Sequence, residues 1–337
     1  RGTRIIRETI TEFPFFSFLL GDLHPHVMSI PLVLLATGLA LAWWRGRGLL
    51  TWREHLSRPW PTICVAVLLG AMGFENTWDI TTFCAVFAAA VALRNLRRAP
   101  PLPALRGAAG YLAPLFVLAI AAYLPWYVTF SSQAEGLYAY AGKGTRPQHA
   151  FLQFGPLVAA ALVALTWALR RRDTRPLAES AIYTSPVVLG PLMGWLLLAA
   201  VRGDLAGGIE ARTGGGWLTL AAYGGATWML AATCGILAAR RHAAAPLLGL
   251  AAVGALLLFG AELFLIRDVF YGASPRLNTV FKLTYQAWLL LAVAGGAAVV
   301  VAWQSALRRR RVAGWLGLPV FVLVAGGLVF PLLALPN

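Results

Sequence analysis

Long apolar stretches recur along this chain, separated by short polar or arginine-rich segments. Ten stand out: residues 27–44, 61–74, 80–94, 108–128, 151–169, 183–201, 217–239, 246–266, 286–303 and 314–335. Most reach the length that a helix needs to cross a hydrocarbon core about 30 Å thick. Inside a bilayer each backbone N–H and C=O must find its partner within the segment, so such runs fold as helices. The pattern predicts an all-α polytopic integral membrane protein, one transmembrane domain over residues 1–337 with about ten spanning helices. Two runs, 61–74 and 80–94, are short for a straight span. They are expected to form a broken or re-entrant pair, a device that lines cavities. The chain opens on Arg1 with no signal-peptide pattern ahead of it, so a further helix upstream is expected.

Composition agrees with the pattern. Of 337 residues 59% are hydrophobic and only 12% charged, and mean hydropathy is +0.71. The net charge of +15 would suit a nucleic-acid partner if the arginines were clustered on a soluble face. They are sorted instead. With residues 1–26 on one side and the ten runs crossing alternately, the opposite loops hold Arg45, Arg47, Arg53, Arg58, Arg94, Arg97, Arg98, Arg106, Arg170, Arg171, Arg172, Arg175, Arg240, Arg241 and 308–311. That is 18 basic residues against three acidic ones, Glu54, Asp173 and Glu179, while the first side balances ten of each. Such a split follows the positive-inside rule. It predicts a plasma-membrane protein with arginine loops in the cytoplasm against anionic lipid, no nucleic-acid partner, and an extracytoplasmic motif face. Cys64, Cys84 and Cys234 fall singly inside apolar runs without metal-ligand spacing, and read as packing residues.

The outer side carries the chemistry. Its first segment, residues 1–26, contains Glu12-Phe-Pro-Phe-Phe-Ser-Phe-Leu-Leu-Gly-Asp22-Leu-His24-Pro-His26 and leads straight into the first apolar run. Ionisable groups at membrane depth are costly and usually mark a functional site. The residue before a proline favours extended angles, and alternate residues of extended chain point the same way. Asp22, His24 and His26 are therefore expected to share one edge. Two imidazoles and one carboxylate suit zinc, manganese or iron, which makes a divalent metal the cofactor to test. The second segment, Glu75-Asn76-Thr-Trp78-Asp79, joins the two short runs. Asp79 is expected to cap the helix that follows and Trp78 to sit at the interface, with Glu75 and Asn76 walling a site.

A third segment, the loop 129–150, holds Gln133, Glu135, Tyr138, Tyr140, Lys143, Arg146, Gln148 and His149 among glycines. Loops of this size are often functional, but its residues specify no reaction. The fourth, residues 266–286, starts a helix at Ser274-Pro275, N-cap then first turn. At about 100° per residue, Asn278, Lys282, Tyr285 and Gln286 form one polar stripe descending into the membrane. Arg276 lies at the helix N-terminus, where free N–H groups already favour anions. Arg276, Asn278 and Lys282 together suit a phosphate. Glu262, an acid inside an apolar run, either reaches out to water or faces the same cavity.

The three motifs, from Glu12 to His26, from Glu75 to Asp79 and from Arg276 to Trp288, resemble the YYY-type membrane proteins, an uncharacterised multi-pass family, over essentially the whole chain. That family in turn resembles the GT-C membrane glycosyltransferases, which have many helices, an acid in the first external loop and a polyprenyl-phosphate-linked sugar donor. The resemblance implies a GT-C-like fold, with Asp22 in the place of the first-loop acid. His24 and His26 have no counterpart there.

The expected function is glycosyl transfer from a lipid-phosphate sugar donor on the outer face, with membrane lipids as surroundings. Asp22 is the expected base, with Glu75 and Asp79 as further catalytic acids. Glu12, His24, His26, Asn76, Trp78, Arg276, Asn278, Lys282, Tyr285 and Gln286 are the expected binding residues. Asp22, His24, Glu75, Asp79, Arg276 and Lys282 are expected to line one cavity. Two other classes use the same residues differently. A transporter or flippase of a lipid-linked or anionic substrate needs the basic stripe but no base, and should carry polar groups at mid-membrane too. A structural subunit of a membrane complex has no need of Asp22, His24 and His26 together.

Overall fold

The computed structural model describes residues 6, 9–169, 175–242, 244–307, 325–327 and 329. These residues are helical apart from turns and one two-stranded ribbon. Seven helical stretches are long and apolar enough to cross a membrane: Pro25–Arg45, Thr77–Leu96, Pro101–Ala122, Glu179–Val201, Gly216–Ala239, Ala245–Leu263 and Leu277–Val300. Of the other three expected spans, 61–74 belongs to a 17-residue apolar helix, 151–169 belongs to a 23-residue helix, and 314–335 lies largely outside the described residues. The chain forms two compact units. One is Ser17–Ser132 with Ala238–Arg241; the other comprises the described residues of Arg1–Phe16, Gln133–Leu237 and His242–Asn337.

The first unit begins within the short helix α1 (Pro14–Leu19). It contains α2 (Pro25–Met28), α3 (Ile30–Arg45), α4 (Arg53–Ser57), α5 (Pro59–Glu75), α6 (Thr77–Leu96), α7 (Pro101–Ala122) and α8 (Leu124–Thr129). Helices α3, α5, α6 and α7 pack around a core of Val33, Leu69, Met72, Phe87 and Leu115. Between membrane helices the attraction comes from close packing, which small residues permit. At Gly70 a Cβ would fall 2.5 Å from the Ala119 carbonyl oxygen, so only glycine lets α5 approach α7 this closely. Outward faces stay apolar, with Val117 and Ile120 on α7 and Trp60 on α5 exposed, as lipid contact requires.

The expected broken pair is two continuous helices, α5 of 17 and α6 of 20 residues, joined at Asn76 alone. Their polar ends are helical because tertiary partners satisfy them, which a count of apolar residues cannot register. At the far end of α6, the Arg94 guanidinium donates to the carbonyls of Trp43 and Gly48, each at 3.0 Å, and to that of Arg47. Asn95 is fully buried and binds both the N–H and the C=O of Leu50 at 2.8 Å. These bonds fix the basic loop after α3 to the C-terminal end of α6. The N-terminal ends of α3 and α6 instead carry Ser29 and Asp79, so within this unit they and the Arg94 end of α6 lie at opposite ends, about 24 Å apart along α3.

The second unit contains β1 (Gly136–Ala139), α9 (Pro147–Leu169), α10 (Arg175–Thr184), α11 (Pro186–Val201), α12 (Leu205–Ala211), α13 (Gly216–Ala239), α14 (Ala245–Leu263), β2 (Phe264–Arg267) and α15 (Leu277–Leu307). Strands β1 and β2 pair antiparallel, Gly136 opposite Arg267 and Ala139 opposite Phe264. That pairing brings the long third loop and the fourth segment to the same end of the unit. Helix α15 packs on α14 and α9. Its regular turns begin at Leu277, two residues past the expected start at Pro275, with Leu277 N–H bonded to Ser274 O at 3.0 Å.

The three cysteines are free: Cys234 is buried and donates to Ala245 O at 3.2 Å, Cys84 is half-buried, and Cys64 is exposed on the outward face of α5.

Candidate functional site

Asp22 owes its position to the end of α1. Gly21 has φ +65°, Asp22 N–H reaches back to Ser17 O at 3.0 Å and Gly21 N–H to Phe18 O at 3.1 Å. This is the glycine-terminated helix end in which a left-handed residue lets two N–H groups satisfy the last carbonyls. Two residues on, His24 is extended, φ −66° and ψ 153°, as a residue before proline should be. Pro25 then starts α2 at its first helical position.

Between these two constraints one carboxylate faces two imidazoles. Asp22 Oδ1 accepts from the His24 backbone N–H at 2.9 Å and is bonded to His24 Nδ1, while Oδ2 lies 3.5 Å from His26 Nε2. The two rings are stacked, 5.9 Å between centroids. The three residues share one edge, as expected, but an extended strand is not the reason: His26 is already helical, and the turn at Asp22 folds back onto it. Burial would raise the Asp22 pKa, but the His24 bonds and the two nearby imidazoles outweigh it and hold the carboxyl below its usual range. His24 remains 76% exposed while His26 is buried. Through His24 the carboxylate is therefore connected to the surroundings.

Behind this edge lies a buried floor. Ser29, between α2 and α3, donates to Asp79 Oδ2 at 2.6 Å and lies 3.3 Å from His26 O; Asn76 Nδ2 donates to the same Asp79 oxygen at 2.9 Å. The expected helix cap is corrected here. Asn76 is the extended residue preceding α6, and Asp79 is the third residue of its first turn, where a negative group also complements the helix dipole. Trp78 is half-buried beside it. Glu75, half-buried at the end of α5, makes no hydrogen bond or ion pair among the described residues. Ser29 was not among the expected residues, since one serine between apolar helices gives no signal in sequence.

The second unit gathers its own set. Glu262 is buried at the end of α14, where Thr145 N–H donates to Oε2 at 2.8 Å and Thr145 Oγ1 to Oε1. Arg276 Nη1 lies 3.3 Å from Glu262 Oε1, and its Nη2 donates to Thr145 Oγ1 at 2.9 Å. Glu262 thus neither reaches out to water nor stands free in a cavity; it is half of a buried ion pair. Gly144 allows this, because a Cβ there would lie 2.8 Å from Gly216 Cα and 3.2 Å from the Glu262 carboxylate. Arg212 is fully buried and donates through Nη2 to Tyr140 O and Glu262 O, both at 2.7 Å. Its guanidinium sits 5.0 Å from the Trp195 ring and 5.8 Å from that of Trp217.

The expected phosphate trio is divided by these contacts. Arg276 is engaged with Glu262, Asn278 donates to Asp268 Oδ2 at 2.8 Å, and the Lys282 ammonium lies 5.0 Å from the Phe281 ring. Tyr285 and Gln286, further along α15, are buried. Thr145 and Arg212 were not anticipated. A threonine in a polar loop and an arginine between spans look like solvated residues until the fold closes on them.

A model of an uncharacterized membrane protein family, DUF2298, matches residues 1–291. The chain belongs to that family. No curated protein and no solved structure matches it. The site residues expected from sequence are divided between the two units of this family member: Asp22, His24, His26, Glu75, Asn76, Trp78 and Asp79 belong to one, Glu12, Arg276, Asn278, Lys282, Tyr285 and Gln286 to the other. Within the first unit, Asp22 and His26 are the members of a carboxylate and imidazole group close enough together to share a divalent ion.

Proposed function

We propose that this chain is a glycosyltransferase of the plasma membrane that takes its sugar from a polyprenyl-phosphate-linked donor on the extracytoplasmic face. The observation that carries the reading is the Asp22–His24 pair, a carboxylate fixed to an exposed imidazole at the mouth of an apolar helix. Support for the sugar chemistry comes from the resemblance of Asp22 to the first-loop acid of GT-C enzymes; family membership alone assigns no activity.

In the proposed reaction the acceptor hydroxyl gives its proton to the Asp22–His24 pair. Imidazoles exchange protons near neutral pH, and a carboxylate on the inner nitrogen orients the ring for that exchange. The acceptor oxygen attacks the anomeric carbon, the bond from that carbon to the phosphate oxygen breaks, and the lipid phosphate leaves with the electron pair. Asp79 holds the floor beneath this edge through Ser29 and Asn76. The arginine loops face the cytoplasm.

The test is transfer by the purified full chain in lipid nanodiscs, with a radiolabelled polyprenyl-phosphate sugar. Asp22→Asn should lower turnover by roughly 10²–10⁴, as loss of a general base does, with donor binding nearly intact. Full transfer by Asp22→Asn would remove this base. Label crossing the membrane of proteoliposomes without a new glycosidic bond would establish a carrier instead.

A divalent metal is the second reading, favoured by the Asp22 carboxylate turning one oxygen toward each imidazole. It predicts that His24→Ala matches Asp22→Asn and that a chelator abolishes activity until metal is restored.

A further inference from the structure

In the second unit a pocket of about 280 Å³ opens between the 140–149 turn and the residues just before α15. Its lining includes Lys143, Arg146, His149 and Arg276 and, among the described residues, no acidic side chain. Lys143 and Arg146 are exposed, His149 is half-buried, and none of the three side chains has a hydrogen-bond or ion-pair partner among the described residues. Two long helices also begin there, α9 at Pro147 and α15 at Leu277. Their free N–H groups and dipoles add positive potential at the same place.

The buried charge behind the pocket does not cancel this field. Among the described residues Glu262 is the one carboxylate paired with Arg276, and Arg212 is buried against the same residue's backbone oxygen. Nε and Nη1 of Arg212 have no hydrogen-bond partner among the described residues. Two guanidiniums to one carboxylate leave an excess positive charge under a rim that carries two more. An uncompensated buried cation is expensive unless an anion lies nearby.

We infer that this pocket is an anion site that takes a phosphate group, with Lys143 and Arg146 as its direct ligands, His149 as a further donor and Arg276 as its floor. A lysine, an arginine and an imidazole lining one pocket suit a multiply charged anion better than a planar carboxylate, which one arginine would grip alone. The choice of phosphate rests on the lipid-phosphate donor proposed above; the positive charge of the pocket does not. Lys143, Arg146 and His149 were visible in the sequence only as polar residues of a long loop. Their convergence with Pro275 and Arg276 depends on the β1–β2 pairing.

The experiment is isothermal titration of the detergent-solubilised full chain with inorganic phosphate and, separately, with dihexanoyl phosphatidate. Each is repeated on the double variant Lys143→Gln, Arg146→Gln. Saturable binding that the double variant weakens at least roughly tenfold is expected, since charge-assisted contacts are lost while the fold has no bond to lose. Unchanged thermal stability of the ligand-free variant verifies the latter. Phosphatidate binding much tighter than inorganic phosphate identifies a lipid-borne group; equal affinities identify a free phosphate. Absence of saturable binding, or binding that the double variant leaves unchanged, overturns the site. Because the readout is binding, the two proposals fail separately: phosphate bound without glycosyl transfer keeps the pocket and removes the reaction, and the converse removes the pocket alone.

Discussion

Glu262 and Asp22 both stand where an apolar helix meets a polar segment, and both are held by several donors. Their partners differ. Glu262 is bonded to Thr145 and Arg276, which are themselves buried, so its charge is spent inside the protein. Asp22 is bonded to His24, whose ring is mostly exposed. A carboxylate closed in on all sides fixes loops; one whose partner reaches outward can pass a proton. The difference lies in the exposure of the partner, since the acids themselves are both largely covered.

Four substitutions would break or sharpen that contrast. The largest effect is expected at Glu262. Glu262→Ala leaves Arg276 and Arg212 buried without their counter-charge and should cost about 3–5 kcal/mol, the range for removing one member of a buried pair. Thermal unfolding in detergent would register it, and a shift as small as that of a surface mutant would show the pair to be solvated. Next comes Gly70→Ala, where the new Cβ meets the Ala119 carbonyl and forces α5 from α7. Overpacking of this kind costs about 1–3 kcal/mol, and a neutral result would show the helices free to separate.

Ser29→Ala should cost a similar or smaller amount, about 1–3 kcal/mol, because it strips a buried acceptor of one donor while Asn76 still supplies another. Smallest of all, Asp22→Asn should change stability by less than about 1 kcal/mol, the usual worth of a pair with an exposed member. If Asp22→Asn destabilised the protein as much as Glu262→Ala, the two acids would be the same kind of structural anchor. The contrast would then be lost.

The helical class and most of the spans were legible because a bilayer leaves an apolar run few other choices. So was the Asp22–His24–His26 edge, since Pro25 fixes the neighbouring backbone and sequence distance is short. The mechanism of that edge was read only in part: the fold uses a glycine-terminated helix and a tight turn, where alternation along a strand was expected. The Asp79 cap was misplaced by three residues because Asn76 is an equally good cap by composition, and only the backbone shows which residue is extended. The role of Arg276 was the least legible. Its partner Glu262 lies 14 positions away and Thr145 lies 131 away, and no local periodicity links three such positions.

What the sequence by itself determined is therefore whatever is local or imposed by the solvent. Apolar length sets the helices, the sorting of arginines sets an expected topology, and proline and glycine set the turn that carries Asp22. What only the tertiary structure decided is which polar groups neutralise one another. Glu262 and Arg276 become an internal pair and Asp79 becomes a floor beneath Ser29, while Lys143 and Arg146 have no side-chain partner among the described residues. Electrostatic and hydrogen-bond energies depend on distances of a few ångströms between atoms, and separation along the chain does not encode those distances.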